Sequence, residues 1–460
     1  MKRKASPSKT STASKKPRPS VPEYHLTPSI QEEDRSTQWP APRAQMERAR
    51  QIIRTCADRK ARTLIVPDKD ADGLSAGAIL RHTLTLLGSP PEMIDVHVLT
   101  KGNTIHTEEE RVKMASRSPQ FVFVLDQGSR SGPPVIDGEP EATLVIDHHH
   151  ATVKDFPKGA SFVTACHSPP VATSALLTYV LCEPLHPGVR ERCDWLCVVG
   201  THGDLGNTLK WERPFPDMQA CLKKYTKKVL NDVVSLVNAP RRTATYDVRS
   251  AWDALCDTAE PASVLKSQRL LAARSEVNAE VERCTHAAPK FSPDGKIAVF
   301  RIKSEAQVHP VIATRWSGHL QSKALEIVLV ANEGYLPGKV NFSCRIPRCA
   351  RSRDPPVDVI ASLKAYASLP VPEDAESIDA ESRAKLPLLE RLGEDFARGH
   401  VQASGGIVAV DEFEELMRNM RIGEKQPKKE GDTSPKKQKS VVDSSQKNNL
   451  MNYFGKAAKT

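Results

Sequence analysis

Arg62-Thr63-Leu64-Ile65-Val66-Pro67 runs directly into Asp68-Lys69-Asp70-Ala71-Asp72-Gly73. A short apolar run that ends in acids reads as a buried strand of a parallel sheet. Residues 73–87 continue as a helix, and Gly73 lets the chain turn tightly into it. Working outward, 94–99, 121–125 and 143–146 are further strand-like runs. Helical stretches lie between or after them, notably 171–182 and 190–200. Alternating β and α units predict a parallel, doubly wound α/β sheet.

Ligands of such a sheet bind at the C-terminal ends of its strands. Asp68, Asp70 and Asp72 at alternate positions are costly there unless a cation neutralises them. A calcium-type loop or a solvated turn would also use three acids, but Ile79 stands where an EF-hand carries its Glu. The arrangement recurs. Phe121-Val-Phe-Val-Leu125 runs into Asp126, and Leu144-Val-Ile146 into Asp147-His148-His149-His150. Val198-Val-Gly-Thr-His202-Gly203 leads to Asp204. If these runs are neighbouring strands, their tips gather at least five carboxylates and two imidazoles on one sheet edge. Oxygen ligands with one or two His suit Mn²⁺ or Mg²⁺ better than structural zinc. Two such ions would ionise water and clamp a phosphoryl group, so the residues point to metal-assisted phosphoester hydrolysis.

Asp147-His148-His149 at a strand end, with Asp-x-Asp-x-Asp-Gly upstream, an Asp between and an Asp downstream, resembles the DHH phosphoesterases. The form Asp68-Lys-Asp70-Ala-Asp72-Gly73 is most similar to the RecJ-type single-strand exonuclease branch. The resemblance covers about 62–206. It implies that Asp70, Asp72, Asp126, His148 and Asp204 hold two Mn²⁺ or Mg²⁺ ions, with Asp68 also at the site and Asp126 and Asp204 as bridges. It implies that His149 faces the scissile phosphate and assists the leaving group, while Asp147 orients the His pair. His150 and His202 are additions to the family pattern. His202 could be a substrate contact, a third nitrogen ligand or a buried spectator.

Residues 262–285 read as one long polar connector helix, followed by a second, smaller α/β region. There 296–302, 325–330 and 339–345 look like strands and 357–367 like a helix. An acidic, Pro-containing loop covers about 370–382. A helix near 386–397, a Gly-rich turn, a strand at 407–410 and a helix at 411–420 complete it. Asn341-Phe-Ser343-Cys-Arg345 and Arg398-Gly399-His400-Val-Gln-Ala-Ser-Gly405 are similar to the substrate-contacting segments of the DHH-associated C-terminal domain. Gly399 and Gly405 would let backbone N–H groups approach phosphate, Arg345 would bind it bidentately and His400 would donate to it. Arg398 stands where the family has the first Gly of Gly-Gly-His. No OB-fold segment of the kind bacterial RecJ enzymes add is evident.

The expected organisation is a basic disordered tail at 1–44, the DHH domain at 45–260, a connector at 261–290, the second domain at 291–423 and a disordered tail at 424–460. The chain of 460 residues carries a formal charge of +10. Residues 1–20 contribute +7 and 424–460 contribute +5, so 21–423 sum to −2. Any grip on nucleic acid by the folded part must come from a local patch. Lys2-Arg3-Lys4 and Lys15-Lys16-Pro17-Arg18 have the pattern of a bipartite nuclear import signal. They imply a nuclear protein that meets an import receptor. Ser6-Pro7 and Ser434-Pro435 sit inside basic clusters, where phosphate would cancel charge. Near the end, Leu450, Tyr453 and Phe454 fall on one side of a helical turn and resemble the PIP box that binds the replication sliding clamp. No apolar window is long enough to cross a bilayer. With ten cysteines, no Cys-x-x-Cys pair and no secretory signal, reduced thiols are expected, and Cys193 and Cys197 read as packing.

Taken together, these features predict a nuclear two-metal phosphodiesterase acting on single-stranded nucleic-acid ends in replication or repair. An enzyme for oligoribonucleotides or cyclic dinucleotides is the first alternative, favoured by the near-neutral folded part. A scaffold similar to replisome subunits with a decayed DHH fold is the second, opposed by the full set of acids and His.

Overall fold

A computed structural model describes residues 28–32, 34–138, 140–369, 387–393, 396–400 and 402–424. The import signal, the phosphosites, the clamp peptide with Leu450, Tyr453 and Phe454, and the acidic loop at 370–382 lie outside the described residues.

The first sheet contains β1 (Thr63–Pro67), β2 (Ile94–Val96), β3 (Phe121–Leu125), β4 (Ala142–Asp147) and β5 (Ser161–Thr164), all parallel, in the order β2-β1-β3-β4-β5. The expected doubly wound α/β domain is present, and its strands are apolar on both faces because both are covered. Ile65, Phe123, Leu125, Leu144 and Ile146 face one core with helices α1 (Arg43–Asp58), α2 (Ala71–Leu86), α4 (Ser174–Cys182) and α5 (Gly188–Leu205). Leu64, Val66, Val122, Val124 and Val145 face the other, with Met114 of α3 (Glu108–Ala115). Helices α6 (Gln219–Tyr225), α7 (Lys227–Val237) and α8 (Val248–Cys256) follow.

Several boundaries differ from the sequence reading. The helix expected at 190–200 runs on to Leu205 in α5, so Asp204 comes off its last turn and not off a strand tip. The connector is broken into α9 (Pro261–Val264) and α10 (Gln268–Cys284). Expected disorder does not extend to residue 44. Trp39 donates its indole N–H to Pro170 O (2.9 Å) and packs edge-on against Phe215.

The second sheet has the order β10-β11-β9-β8-β7-β6. Its strands are β6 (Lys290–Phe291), β7 (Ile297–Ile302), β8 (Ile327–Leu336), β9 (Lys339–Arg345), β10 (Arg398–His400) and β11 (Ala403–Ala409). Only β7 and β8 are parallel neighbours there. Phe342 and Cys344 face a core with α12 (Val359–Ala367), α13 (Leu388–Arg391) and α14 (Val410–Asn419). Phe300 and Val328 face α10 and α11 (His309–His319) on the other side. The helix expected near 386–397 is only α13 among the described residues, and the expected Gly-rich turn is the antiparallel pair β10–β11. No helix among the described residues is long and apolar enough to cross a membrane.

Candidate metal centre and the arginines beside it

Strand register assembles the acids. Pro67 pairs with Leu125 and Leu125 with Ile146, so Asp68, Asp126 and Asp147 come off three adjacent strands at one level. Neighbouring strands are about 4.8 Å apart. The ladder runs one residue further, with Asp68 N donating to Leu125 O and Asp126 N to Ile146 O, both at 2.9 Å. β1 and β3 flank the point where strand order reverses, the place where open α/β sheets bind ligands.

The turn from β1 into α2 places the next acids. Asp70 caps α2, its Oδ1 accepting from the N–H groups of Asp72 (3.0 Å) and Gly73 (3.3 Å). A Cβ on Gly73 would lie 2.7 Å from Asp68 N, so only glycine fits this close turn. Asp72 is fully buried and accepts from Ser174 N (2.7 Å) and Ala175 N (2.9 Å) at the start of α4. Asp126 adopts φ 62, a left-handed conformation that costs a non-glycine residue energy and clusters at functional sites. Ser174 Oγ donates to its Oδ1 at 2.9 Å.

His148 stands at the centre. Its Nε2 is 3.3 Å from both Asp126 Oδ1 and Asp204 Oδ2, and 3.8 Å from Asp72 Oδ2. That nitrogen is buried and meets these carboxylates as ion-pair contacts, without hydrogen-bond geometry to any of them. Two separate triads, Asp68/Asp70/Asp126 and Asp72/His148/Asp204, each bring three ligand atoms within 4.8 Å of one another, and Asp126/His148/His149 links them. An oxygen-rich donor set with one buried imidazole nitrogen among carboxylates fits hard divalent cations.

Electrostatics report the same crowding. Burial, then the Asp204 charge, pushes Asp72 up to about 7. Burial and Asp72 raise Asp126 well above the usual carboxylate range. Burial would lower His148, but Asp126 and Asp204 outweigh it and raise it well above 6.5. Asp147 behaves oppositely. Burial favours its neutral form, yet contacts from His149, His148 and Ser129 bring it down to about 2. Its Oδ1 accepts from His148 N (2.7 Å), His149 N (3.2 Å) and His149 Nδ1 (2.8 Å), and its Oδ2 from Ser129 N (3.1 Å). Asp147 thus fixes the His149 ring, whose side chain is 59% exposed, and leaves its Nε2 free to face a ligand.

The two additional histidines differ. His202 is buried, holds Asn231 Oδ1 at 3.1 Å through Nδ1, is pushed down to about 4 by burial and belongs to none of the triads. His150 is exposed, edge-on to His167.

Basic residues adjoin the acids. Arg241 lies 3.9 Å from Asp70 Oδ2 and donates Nε to Asn238 Oδ1 at 3.0 Å. On β9, Arg345 donates to Ser343 Oγ (3.0 Å) and Cys344 O (2.9 Å). His309, 4% exposed with Nδ1 unpartnered, is pushed down to about 3 by burial and by the charges of Arg345 and Arg242. Burial and Arg241 lower Arg242 to about 9. Neither Arg242 nor Arg345 has a carboxylate partner among the described residues, and burial lowers Arg345 as well. The domains meet where Gln307 N donates to Arg242 O (2.9 Å), and where Lys101 Nζ reaches Glu305 O (2.6 Å) and lies 4.2 Å from the Tyr335 ring centre.

The structure therefore brings Asp68, Asp70, Asp72, Asp126, Asp147, His148, His149 and Asp204 together, and sets Ser343 and Arg345 in the second domain. The backbone of Arg398–His400 pairs with Gly405, Ser404 and Ala403, and the side chains of Arg398 and His400 lie outside what is described. Gly405 lies within β11 opposite Ser343, where a Cβ would sit 2.5 Å from Phe342 O, so its missing side chain serves strand packing. Sequence reasoning missed Ser174, Arg241, Arg242 and His309. The adjacent guanidiniums after Pro240 were a readable signal in a near-neutral folded part; Ser174 carried none.

This combination of a parallel sheet, a carboxylate–imidazole centre at its switch point and a second mixed α/β domain is the DHH fold. Its two-domain form is RecJ-like. RecJ of Thermus thermophilus, solved with Mn²⁺, is 17% identical with a TM-score of 0.54, over 82% of this chain and 54% of that one. An exonuclease RecJ bound to manganese is 18% identical with a TM-score of 0.52, over 82% and 93% of the two chains. A DHH domain from a member of a family of ribosomal proteins is 14% identical with a TM-score of 0.55, over 82% and 90%. The chain thus spans about half the length of the Thermus protein. No protein-family model and no curated protein matches the sequence.

Proposed function

We propose that this protein is a divalent-cation-dependent phosphodiesterase that hydrolyses the ends of single-stranded nucleic acid. The observation that carries the reading is the pair of ligand triads around His148 Nε2, set beside Arg242 and Arg345, which have no ion-pair partner among the described residues. Asp68, Asp70 and Asp126 would hold one cation and Asp72, His148 and Asp204 the other, with Mn²⁺ or Mg²⁺ as occupants. Bound there, the cations supply the charge that acidifies a water molecule and neutralises the phosphoryl oxygens.

The chain's own groups do the rest. Arg345, steadied by Ser343, and Arg242 bind substrate phosphates, since a guanidinium matches phosphate oxygens bidentately. Asp147 keeps the Nδ1 proton of His149 engaged, which turns Nε2–H toward the leaving oxygen. Burial would lower His149, but Asp147 raises it above 6.5, so it carries the proton needed there. The buried walls around Asp72 and Asp126 exclude bulk water and keep these charges effective.

The basic terminal segments support a nuclear protein of replication or repair, brought to the sliding clamp through Leu450, Tyr453 and Phe454. The test is cleavage of 5′- and 3′-labelled DNA and RNA strands, about 3 to 40 nucleotides long, with Mn²⁺ or with EDTA. Metal-dependent shortening of long strands from one end is expected. Cleavage limited to the shortest oligomers would assign a small-substrate enzyme, and none at all would assign a scaffold.

A further inference from the structure

Residues 210–228 hold six Lys or Arg against two acids, although 21–423 as a whole sum to −2. The densest part is Lys223-Lys224-Tyr225-Thr226-Lys227-Lys228. α6 ends at Tyr225, Thr226 takes φ 63 and α7 begins at Lys227, so the four lysines surround one corner. All four are exposed. Lys228 meets Asp232 at 2.8 Å and Lys224 lies over the Tyr225 ring at 4.6 Å. Lys223 and Lys227 have no acidic partner among the described residues. An ordinary solvated helix face intersperses acids at i+3 or i+4, and most of this corner does not. Such gathered charge is costly until a polyanion meets it.

The corner is tied to the metal centre by α7. One turn after Lys227, Asn231 holds His202, two residues before Asp204. At the other end Asn238 accepts from Ala71 N and from Arg241, which stands beside Asp70. An eleven-residue helix is about 16 Å long. The lysine corner and the Arg241-Arg242 pair therefore flank the acids at a spacing of about five nucleotides at duplex rise, and fewer when the strand is stretched.

We propose that the α6–α7 corner is a second grip on nucleic acid. A single strand engaged at the metal centre runs on over Lys223, Lys224 and Lys227, its phosphates paired with the ammonium groups. The course of the strand rests on the phosphodiesterase reading; the grip itself does not. It lets the protein hold strands that extend beyond the metal centre.

The test compares the full chain with a triple variant, Lys223→Gln, Lys224→Gln and Lys227→Gln. Binding of a labelled 20-nucleotide strand is followed by anisotropy in EDTA, and hydrolysis of that strand and of a nitrophenyl thymidylate diester with Mn²⁺. The variant should bind the strand about tenfold more weakly at low salt, with a slope of log K against log salt shallower by about 2 for three lost phosphate contacts. Its KM for the strand should rise while hydrolysis of the small diester stays at the wild-type rate. Strand affinity and salt slope equal to wild type would overturn the grip. So would unchanged strand binding with weakened binding to anionic phospholipid vesicles, which would assign a membrane surface. Wild-type protein that binds strands but hydrolyses neither substrate would overturn the enzyme reading, while the binding comparison would still decide the corner.

Discussion

At Asp126 a left-handed backbone, burial and three neighbouring acids, Asp68, Asp70 and Asp72, coincide. A fold tolerates this arrangement only when the surroundings hold it and a cation repays it. Replacing Asp126 by Asn should abolish cleavage, yet raise the stability of the EDTA-treated protein, since it removes a buried carboxylate set among like charges. Thermal unfolding with and without Mn²⁺ checks both halves. The wild type should gain about 2.7 kcal/mol at a hundredfold excess of free ion over Kd, and the variant much less. The gain should also depend on pH. Asp72 titrates at about 7 in the folded, metal-free chain and near 3.8 unfolded. Between those values the metal-free fold holds a proton that the unfolded chain has released, so the Asp72 contribution to stability falls as pH rises from 4 to 7. The cation expels that proton, so stabilisation by Mn²⁺ should grow across the same window. A gain that is flat with pH would separate Asp72 from the ion. Asp147→Asn leaves the ligands in place but loosens the His149 ring, and should cost about 10–100-fold in kcat/KM.

Among the elements, β1, β3 and β4 were readable because each is a short run buried on both faces, and an acid straight after such a run has to lie at the sheet edge. α5 was expected as a helix at 190–200, and its continuation to Leu205 was not. Val198-Val199 favours strand and Gly200 and Gly203 look like breaks, but both glycines are contact points. A Cβ on Gly200 would come 2.3 Å from Ala175 Cβ and 3.1 Å from Asp72 Oδ1, and one on Gly203 would come 3.1 Å from Ala71 Cβ. Only the tertiary partner shows that these glycines bring Asp204 up to Asp72. Gly200→Ala should therefore overpack this contact, with a loss of about 1–3 kcal/mol in denaturant unfolding and a larger loss of activity than of stability. The loop after β2 depends on another buried acid. Glu110 accepts from Asn103 Nδ2 (2.7 Å), Thr100 N (3.3 Å) and His97 Nε2 (2.7 Å). Burial would raise it, but these bonds bring it down to about 2. The resulting stability is fully present above about pH 4.5 and lost as pH falls toward 2. Glu110→Gln should cost about 3 kcal/mol at neutral pH, with the difference from wild type vanishing near pH 2.

Across the whole molecule, the two domains keep separate cores and meet through polar contacts. Their pairing was not legible in the chain, because nothing local in Lys101 or Tyr335 announces a partner some two hundred residues away. Net charge was equally uninformative, since a near-neutral sum conceals acids gathered at one sheet edge and guanidiniums and ammonium groups set around it. The junction decides how far Arg345 on β9 stands from the triads. Lys101, bonded to Glu305 O and lying over Tyr335, is held in its turn by the loop that Glu110 organises. Exposed cation–ring contacts contribute about 0.5–1 kcal/mol and a neutral hydrogen bond about 1 kcal/mol. Lys101→Ala should accordingly loosen the junction by about 1–2 kcal/mol without unfolding either core. A strand that must touch both domains should then show a KM raised about five- to thirtyfold, whereas a small diester served by the metal centre alone should keep its kcat. Equal KM values for the strand in variant and wild type would mean that the junction is set elsewhere, with Gln307 and Arg242 the next contact to break.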